Sequence, residues 1–193
     1  MKKKIGCAII SGGKAERLGG RDKSQITIKG KTILEMLAEE LSDQSELIMA
    51  GGNRAHAERL GLDYAADLFP GCGPMGGIYS ALKQSSSDAL FAAACDMPLI
   101  KKDLVRYLIK EYEALGCPKA LIAKAGDCLQ PLCSIYAKTA LPDLEAAILA
   151  GRLKLSLFAV EEAYPVCVIP ARYHNMLINV NTPETLSLVS SGE

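Results

Sequence analysis

The sequence lacks an excess of either charge: 22 Lys and Arg residues balance 22 Asp and Glu residues. A neutral chain has no general field that attracts nucleic acid or an anionic membrane, so any anion site must be local. No apolar run approaches the ~18 residues needed to span a bilayer. The apolar segment before Lys14 is also too short for a signal peptide, so we expect a cytoplasmic protein.

Paired cysteines and clustered histidines are missing too. The seven cysteines show no Cys-x-x-Cys spacing, which argues against a disulfide framework or a zinc cluster. His56 and His174 are solitary, with no second metal ligand and no Ser or Cys nucleophile nearby. We therefore expect reduced thiols that serve as small core residues, and histidines that lie at the surface.

Apolar segments alternate with amphipathic ones along the chain. The strands are predicted at Ile5–Ile10, Glu46–Met49, Ala89–Ala94, Ala120–Ala123, Leu132–Tyr136, Pro165–Ile169 and Met176–Val180. The helices are predicted at about 31–42, 54–60, 76–86, 101–115, 139–150 and 183–190. The first strand shows no polar alternation, which is typical of a strand buried on both faces.

This alternation predicts an α/β protein of the three-layer α/β/α, Rossmann-like type. Its sheet is expected to be mostly parallel, with helices on both faces. The second half is less regular, so we expect a small antiparallel excursion there that forms a lid. No linker, repeat or low-complexity tract divides the chain, and we expect one domain over residues 1–193.

Ligands of such sheets bind beyond the carboxyl ends of the strands, and the stretch "AIISGGKAERLGGRDKS" follows the first strand there. Gly12 and Gly13 allow the backbone to turn tightly and to bring its N–H groups against a ligand. Arg17 can grip a phosphate bidentately, and Lys23 adds a compact charge. The combination favours a triphosphate site; the alternative is a glycine-rich loop with solvated charges. The nearby Gly30, Lys31 and Thr32 do not complete a Walker A motif, because Gln25 stands five positions before Gly30, where that motif needs glycine.

A second stretch, "FAAACDMPLI", places Asp96 just after an apolar strand. A carboxylate in that position suits Mg²⁺, which usually takes one or two carboxylates together with waters and substrate phosphates. Pro98 stops any simple continuation of the strand. The alternative is that Asp96 caps the helix beginning near Lys101, or forms a turn.

A third stretch, "DLFPGCGPMGGIYSAL", formally matches the dinucleotide pattern G-x-G-x-x-G through Gly71, Gly73 and Gly76. We interpret the match as coincidental, because Pro74 lies inside it and no clear strand leads into it. The Gly-Pro turn and Gly76–Gly77 are instead predicted to begin a helix against which a nucleobase or ribose lies. Asp67 is placed to accept hydrogen bonds from a sugar hydroxyl or a base N–H.

Three polar residues are weaker candidates on the side of a second substrate. Gln130 precedes a predicted strand in "QPLCSIY", while Asn179 and Asn181 lie at a predicted strand end in "NMLINVNTPETL". The residues from Thr182 onward, with Pro183 at the first helical position, indicate a helix start.

These motifs together resemble the molybdenum cofactor guanylyltransferases (the MobA family), which have the nucleotide-diphospho-sugar transferase fold. The family pattern L-A-G-G-x-x-x-R-M-G-G-x-D-K reads "IISGGKAERLGGRDK" here. G-P-L-A-G appears as "GPMGGI", C-D-x-P as "CDMP", and N-x-N-T-P-E-x-L as "NVNTPETL". The resemblance runs in the correct order from the first strand to the last helix.

The resemblance implies roles for individual residues. Contacts to GTP are implied for Ile10, Ser11, Gly12, Gly13, Lys23, Asn53, Asp67 and Asp96, with Arg17, Lys23 and Asp96 as the catalytic set and Asp96 as the Mg²⁺ ligand. Two departures stand out. Ser11 replaces the usual alanine, and the position of the family's guanine-side asparagine aligns with Gly51, while Asn53 lies two residues further on.

The implied reaction transfers GMP from GTP to the phosphate of molybdopterin-bound molybdenum and releases pyrophosphate, with Mg²⁺ required. GTP and the molybdopterin cofactor are the implied substrates, and delivery or acceptor proteins are implied partners. Alternatives are a molybdopterin cytidylyltransferase or a sugar-phosphate nucleotidyltransferase on the same scaffold. A non-catalytic nucleotide-binding or cofactor-delivery protein, or an NAD-binding oxidoreductase built on Gly71, Gly73 and Gly76, belongs to another class.

Overall fold

A computed structural model describes residues 3–11, 14–15, 21–22 and 26–191. Its strands are β1 (Ile5–Ile10), β2 (Lys14–Ala15), β3 (Arg21–Asp22), β4 (Thr27–Ile28), β5 (Lys31–Thr32), β6 (Leu47–Ala50), β7 (Asp63–Ala65), β8 (Ala89–Ala94), β9 (Ala120–Ala125), β10 (Cys128–Ala137) and β11 (Val166–Val168). Its α-helices are α1 (Ile33–Leu41), α2 (Arg54–Arg59), α3 (Gly73–Gln84), α4 (Lys102–Ala114), α5 (Leu141–Leu149), α6 (Leu155–Glu161) and α7 (Pro183–Ser191). Within the described residues, 3₁₀ helices cover Lys138–Ala140 and Ala171–Leu177.

A seven-stranded sheet organises the molecule in the order β11-β9-β10-β8-β1-β6-β7. Its pairs are parallel except those of β10, which runs antiparallel to both β8 and β9. The predicted mostly parallel sheet and its antiparallel excursion are therefore confirmed. Two small antiparallel pairs, β2 with β3 and β4 with β5, lie outside this sheet. The described part of the chain does not test the prediction that the excursion acts as a lid, which stays a prediction.

Helices cover both faces of the sheet because its central strands are apolar on both sides. All six residues of β1 are buried, as are all six of β8. On one face the core contains Leu37 of α1 and Leu108 of α4. On the other face it contains Ile78 of α3 and Phe158 of α6. The predicted three layers are confirmed.

The predicted strand at Met176–Val180 is wrong. The chain forms a 3₁₀ helix over Ala171–Leu177 and then runs extended without joining the sheet. The N–H of Val180 donates instead to the backbone oxygen of Asp96, over 2.8 Å. Leu177 and Val180 are buried because this segment crosses the carboxyl edge of the sheet and packs into the core from there.

Several short elements escaped the sequence analysis, among them the strand pairs β2–β3 and β4–β5, strand β7 and helix α6. Strand β7 lies at the edge of the sheet beside β6, although its sequence, Asp-Tyr-Ala, has little apolar character. The sequence showed no clear strand leading into "GPMGG"; a three-residue strand is present upstream, but it ends at Ala65 and does not run directly into that segment. Helix α6 was missed because it has only seven residues and follows α5 after a short connection.

The cysteines are all free. Cys7, Cys95, Cys133 and Cys167 are buried, as predicted for core residues, whereas Cys128 is exposed. Burial raises the pKa of the Cys133 thiol to about 12, which makes it a poor nucleophile at neutral pH. Among the described helices, none combines the length and the apolar character that crossing a bilayer requires.

Candidate functional site

Three strands end at the same level on the carboxyl edge of the sheet. The backbone oxygen of Ile10, the last residue of β1, accepts a hydrogen bond from the N–H of Cys95, over 3.1 Å. The N–H of Ser11 donates to the backbone oxygen of Ala50, the last residue of β6, over 2.8 Å. Residues that follow β1, β6 and β8 are thereby brought together, as expected for the ligand-binding edge of a parallel sheet.

A cavity of about 370 Å³ opens at this edge, between the ends of β1 and β6 and the start of α3. The described residues that line it are Ile10, Ser11, Ala50, Gly51, Asp67, Gly71, Gly73, Pro74 and Gly77. Among these described lining residues, Asp67 alone carries a charge. Because most of these residues have small side chains, backbone groups form much of the cavity wall. A flat heterocycle can be approached closely by the main chain in such a cavity.

The turn after β6 fits tightly around Ser11. Gly51 has a φ of +76°, and a Cβ built there would lie 2.1 Å from the backbone oxygen of Ser11. A Cβ at Gly52 would lie 2.6 Å from the Ser11 hydroxyl oxygen. Ser11 itself is only 4 % exposed. A side chain at Gly51, the position that we predict to align with the guanine-side asparagine of the family, would therefore clash with the backbone of Ser11.

Helix α3 begins at Gly73, three residues earlier than predicted, with Pro74 in its first turn. A Cβ at Gly77 would lie 2.9 Å from Cγ2 of Ile10, and one at Gly76 would lie 2.9 Å from the backbone oxygen of Phe69. The two glycines thus allow the helix to pack closely on β1 and on the loop before it. Gly71, Gly73 and Gly76 do not form a strand–turn–helix fingerprint, because seven residues separate β7 from Gly73.

Asp96 lies two residues beyond β8, as predicted, and is half-buried. It does not cap the following helix, whose N-cap residue is Lys101 without a side-chain capping bond. Among the described residues, no group of three or more His, Cys, Asp or Glu side chains is arranged to hold a metal ion. The donor chemistry of one carboxylate at this edge suits Mg²⁺, which completes its shell with waters and phosphate oxygens.

The second-substrate candidates lie at the same edge. Asn179 precedes the Val180 that is bonded to Asp96, and its Oδ1 is buried with no hydrogen-bond partner within the described part of the chain. The N–H of Asn181 donates to Oγ1 of Thr185, over 3.2 Å, at the start of α7. Gln130 lies within β10 rather than before it, next to a register shift, near the end that faces the carboxyl end of β8.

One predicted residue, Asn53, is not brought to the cavity, and four others lie outside the described part of the chain. Asn53 caps α2, because its Oδ1 accepts a hydrogen bond from the N–H of Ala55 over 2.9 Å, and it does not line the cavity. Gly12, Gly13, Arg17 and Lys23 lie outside the described residues, so their roles stay predictions.

A larger cavity of about 560 Å³ lies elsewhere, between α1 and the starts of β6 and β7. Two of its carboxylates already have partners: Glu35 caps α1 through Thr32, and Glu39 pairs with Lys31 at 2.7 Å. It is remote from the carboxyl edge of the sheet. We therefore assign the functional site to the smaller cavity.

Sequence reasoning found Asp67 and Asp96 but missed Gly51 as part of the cavity wall. The signal was available: a glycine pair directly after an apolar strand repeats the arrangement at Gly12 and Gly13. Asn53, two residues further on, carries the nearest side chain that resembles a base-reading group, and residue type alone favours it over a glycine.

Known proteins are similar to this chain in sequence and in fold. The MobA-like NTP transferase domain family matches residues 7–163. A probable molybdenum cofactor guanylyltransferase of Clostridium perfringens is 34 % identical over 189 residues, covering 93 % of this chain and 92 % of that protein. A molybdenum cofactor guanylyltransferase of Vibrio atlanticus is 32 % identical over 188 residues, covering 93 % and 92 %.

Solved structures agree with these relatives. Molybdopterin-guanine dinucleotide biosynthesis protein A from Archaeoglobus fulgidus superposes with a TM-score of 0.80 at 30 % identity, covering 97 % of this chain and 96 % of that one. A 2-C-methyl-D-erythritol 4-phosphate cytidylyltransferase from Thermus thermophilus gives a TM-score of 0.69 at 13 % identity, over 95 % and 96 %. The latter is similar in fold alone.

Proposed function

Because the chain belongs to the MobA-like NTP transferase family, and is thus a nucleotidyltransferase of molybdenum cofactor biosynthesis, we propose that it transfers GMP from GTP to the molybdopterin-bound molybdenum cofactor. The products are the guanine dinucleotide cofactor and pyrophosphate. The observation that carries the proposal is the common edge of β1, β6 and β8, where the cavity lined by Asp67 opens beside the end of β1 and Asp96 follows β8, the neighbour of β1. Relatives named as molybdenum cofactor guanylyltransferases support it.

Asp67 supports guanine as the base. A carboxylate accepts hydrogen bonds only, and guanine offers it two adjacent donors, N1–H and the 2-amino group. Cytosine presents acceptors at N3 and O2, which repel a carboxylate, and one amino donor. With Gly51 unable to carry a side chain, we assign base selection to Asp67 together with the backbone around Ser11. Asn53 keeps a predicted contact to GTP through its amide nitrogen.

The phosphates would extend from the cavity towards the loop after β1. Arg17 and Lys23 are assigned to the triphosphate on sequence alone, with Gly12 and Gly13 supplying backbone N–H groups. Asp96 would hold Mg²⁺, which when bound neutralises charge on the triphosphate. Asn179, Asn181 and Gln130 would face the molybdopterin substrate across the same edge.

The chemistry needs no covalent enzyme intermediate. An oxygen of the acceptor phosphate attacks the α-phosphorus of GTP, the new P–O bond forms, and the bond to the pyrophosphate oxygen breaks. The chain contributes by holding the two substrates in line and by neutralising charge on the leaving group through Arg17 and Lys23. We further propose that residues 1–193 form one domain and that the reaction takes place in the cytoplasm.

The test is turnover. The full chain is incubated with GTP, Mg²⁺ and molybdopterin-bound molybdenum, and pyrophosphate and the dinucleotide are quantified. We expect both products in equal amounts with GTP and far less with CTP. Nucleotide binding without pyrophosphate release would support the non-catalytic alternative, and preference for CTP would support the cytidylyltransferase.

A further inference from the structure

The loop that carries Asp67 is bonded to helix α3 on either side of that residue. Before it, the side chain of Gln84 bonds both backbone groups of Ala66: the N–H of Ala66 donates to Oε1 over 3.1 Å, and Nε2 donates to the Ala66 oxygen over 2.7 Å. After it, the N–H of Leu68 donates to the hydroxyl oxygen of Ser80, over 2.9 Å. Asp67 is held between these two attachments.

Both attachment points lie on one face of α3. Ser80 and Gln84 are four residues apart, so their side chains point in the same direction from the helix. Nε2 of Gln84 also donates to the backbone oxygen of Ser80, over 3.1 Å, which ties the amide to its own helix. Ser80 is fully buried.

The carboxylate of Asp67 is oriented by a further bond. Its Oδ1 accepts a hydrogen bond from the N–H of Phe69, over 3.1 Å, which turns the side chain back over its own loop. The Phe69 ring in turn packs edge-on against Tyr79 of α3, with ring centroids 5.0 Å apart. One carboxylate oxygen is thus used inside the loop.

From these contacts we propose that Ser80 and Gln84 are positioning residues that hold Asp67 for base recognition. We use the name "α3 clamp" for these two side chains together with the backbone groups of Ala66 and Leu68 to which they are bonded. Neither side chain lines the cavity itself, so both act through Asp67. The proposal rests on the proposed function, since it assumes that Asp67 contacts the guanine of GTP. Holding the carboxylate in place beforehand lowers the cost of ordering it on binding.

The test is a double-mutant cycle with a matched control. The variants are Gln84→Ala, Ser80→Ala, Asp67→Ala and the doubles with Asp67→Ala; Lys83→Ala, at an exposed position of the same helix, is the control. Affinities for GTP and for inorganic tripolyphosphate are measured with Mg²⁺, alongside KM and kcat. Melting temperatures check that each variant folds.

We expect Gln84→Ala to weaken GTP binding about fivefold to tenfold, through KM and not kcat, and Ser80→Ala to act in the same direction. Tripolyphosphate affinity should not change, because it has no base, and Lys83→Ala should behave as wild type. In the Asp67→Ala background the clamp substitutions should have no further effect on GTP.

Equal losses with and without Asp67, or a parallel loss of tripolyphosphate affinity, would show that the clamp acts only on general stability and would overturn the proposal. Wild-type protein that binds tripolyphosphate but not GTP would contradict the proposed function itself, and the clamp proposal would fall with it. Wild-type protein that binds GTP while Gln84→Ala and Ser80→Ala bind it equally well would reject the clamp alone.

Discussion

The backbone oxygen of Asp96 accepts a hydrogen bond from the N–H of Val180 over 2.8 Å, which joins the end of β8 to the segment before the last helix. This bond explains how residues more than eighty positions apart in sequence share one edge of the sheet. It also places Asn179 beside the residue that we assign to Mg²⁺. The metal side and the acceptor side of the proposed reaction are therefore structurally joined.

Asp96→Asn should lower the rate by at least ~10², because the amide removes the negative charge that a divalent cation requires. The side chain keeps its size, so the fold should persist. The measurement is kcat across a Mg²⁺ titration. Asp127→Asn, at an exposed position in the turn between β9 and β10, is the matched control and should leave kcat unchanged. Wild-type turnover by the Asp96 variant would refute the role.

Lys23→Ala should also cost at least ~10² in rate, since it removes a charge that balances the leaving pyrophosphate. Lys110→Ala on the exposed side of α4 removes the same charge elsewhere and should have little effect. Pyrophosphate release under single-turnover conditions separates this loss from a defect in product release. A Lys23 variant whose single-turnover rate matches wild type would show that the lysine is not in the phosphate site.

Gly51→Ala should destabilise the protein and weaken nucleotide binding. Its Cβ would lie 2.1 Å from a backbone oxygen, in addition to the strain of alanine at positive φ. Gly61→Ala separates the two effects, because Gly61 has a similar φ of +67° but no atom within 4 Å of its Cβ position. In urea unfolding we expect Gly61→Ala to cost about 1–2 kcal/mol and Gly51→Ala at least ~3 kcal/mol. Equal costs would mean that the turn after β6 adjusts freely.

Glu46 should stabilise the protein at neutral pH, and this contribution to the free energy of unfolding should be lost in acid. Partial burial raises its pKa, but hydrogen bonds from Ser85, Ser86 and Ser87 outweigh that effect and lower the pKa to about 2. A carboxyl whose folded pKa is depressed contributes stability above its unfolded pKa and loses it as pH falls towards the folded value. The free energy of unfolding should therefore decline from about pH 4.5 to about pH 2. In Glu46→Gln that decline should be smaller; an identical pH profile would contradict the assignment.

The apolar pattern predicted the central strands well because they are buried on both faces. Ile5–Ile10 and Ala89–Ala94 were located to the residue. The pattern misled at Met176–Val180, where apolar residues enter the core by crossing the sheet edge and not by joining the sheet. A strand and a crossing segment bury the same side chains, so periodicity cannot separate them.

The residues of the candidate site also fall into two groups, those that the sequence predicted and those that it did not. Asp96 was predictable because it follows an apolar strand at the ligand-binding edge of a parallel sheet. Asp67 was predictable because it lies just upstream of the Gly-Pro turn that begins α3. Ser80 and Gln84 were not, since their partners lie 12 and 18 residues away and their bonds are to backbone groups. Backbone partners leave no trace in residue type.

The most direct test of the central claim is a titration of the wild-type protein with GTP, CTP and ATP, each with and without Mg²⁺. If the Asp67 cavity and Asp96 serve one nucleotide, GTP should bind more tightly than CTP and ATP, Mg²⁺ should strengthen GTP binding, and Asp96→Asn should abolish that Mg²⁺ effect. Equal affinity for the three nucleotides, or GTP binding that is indifferent to Mg²⁺, would contradict the claim.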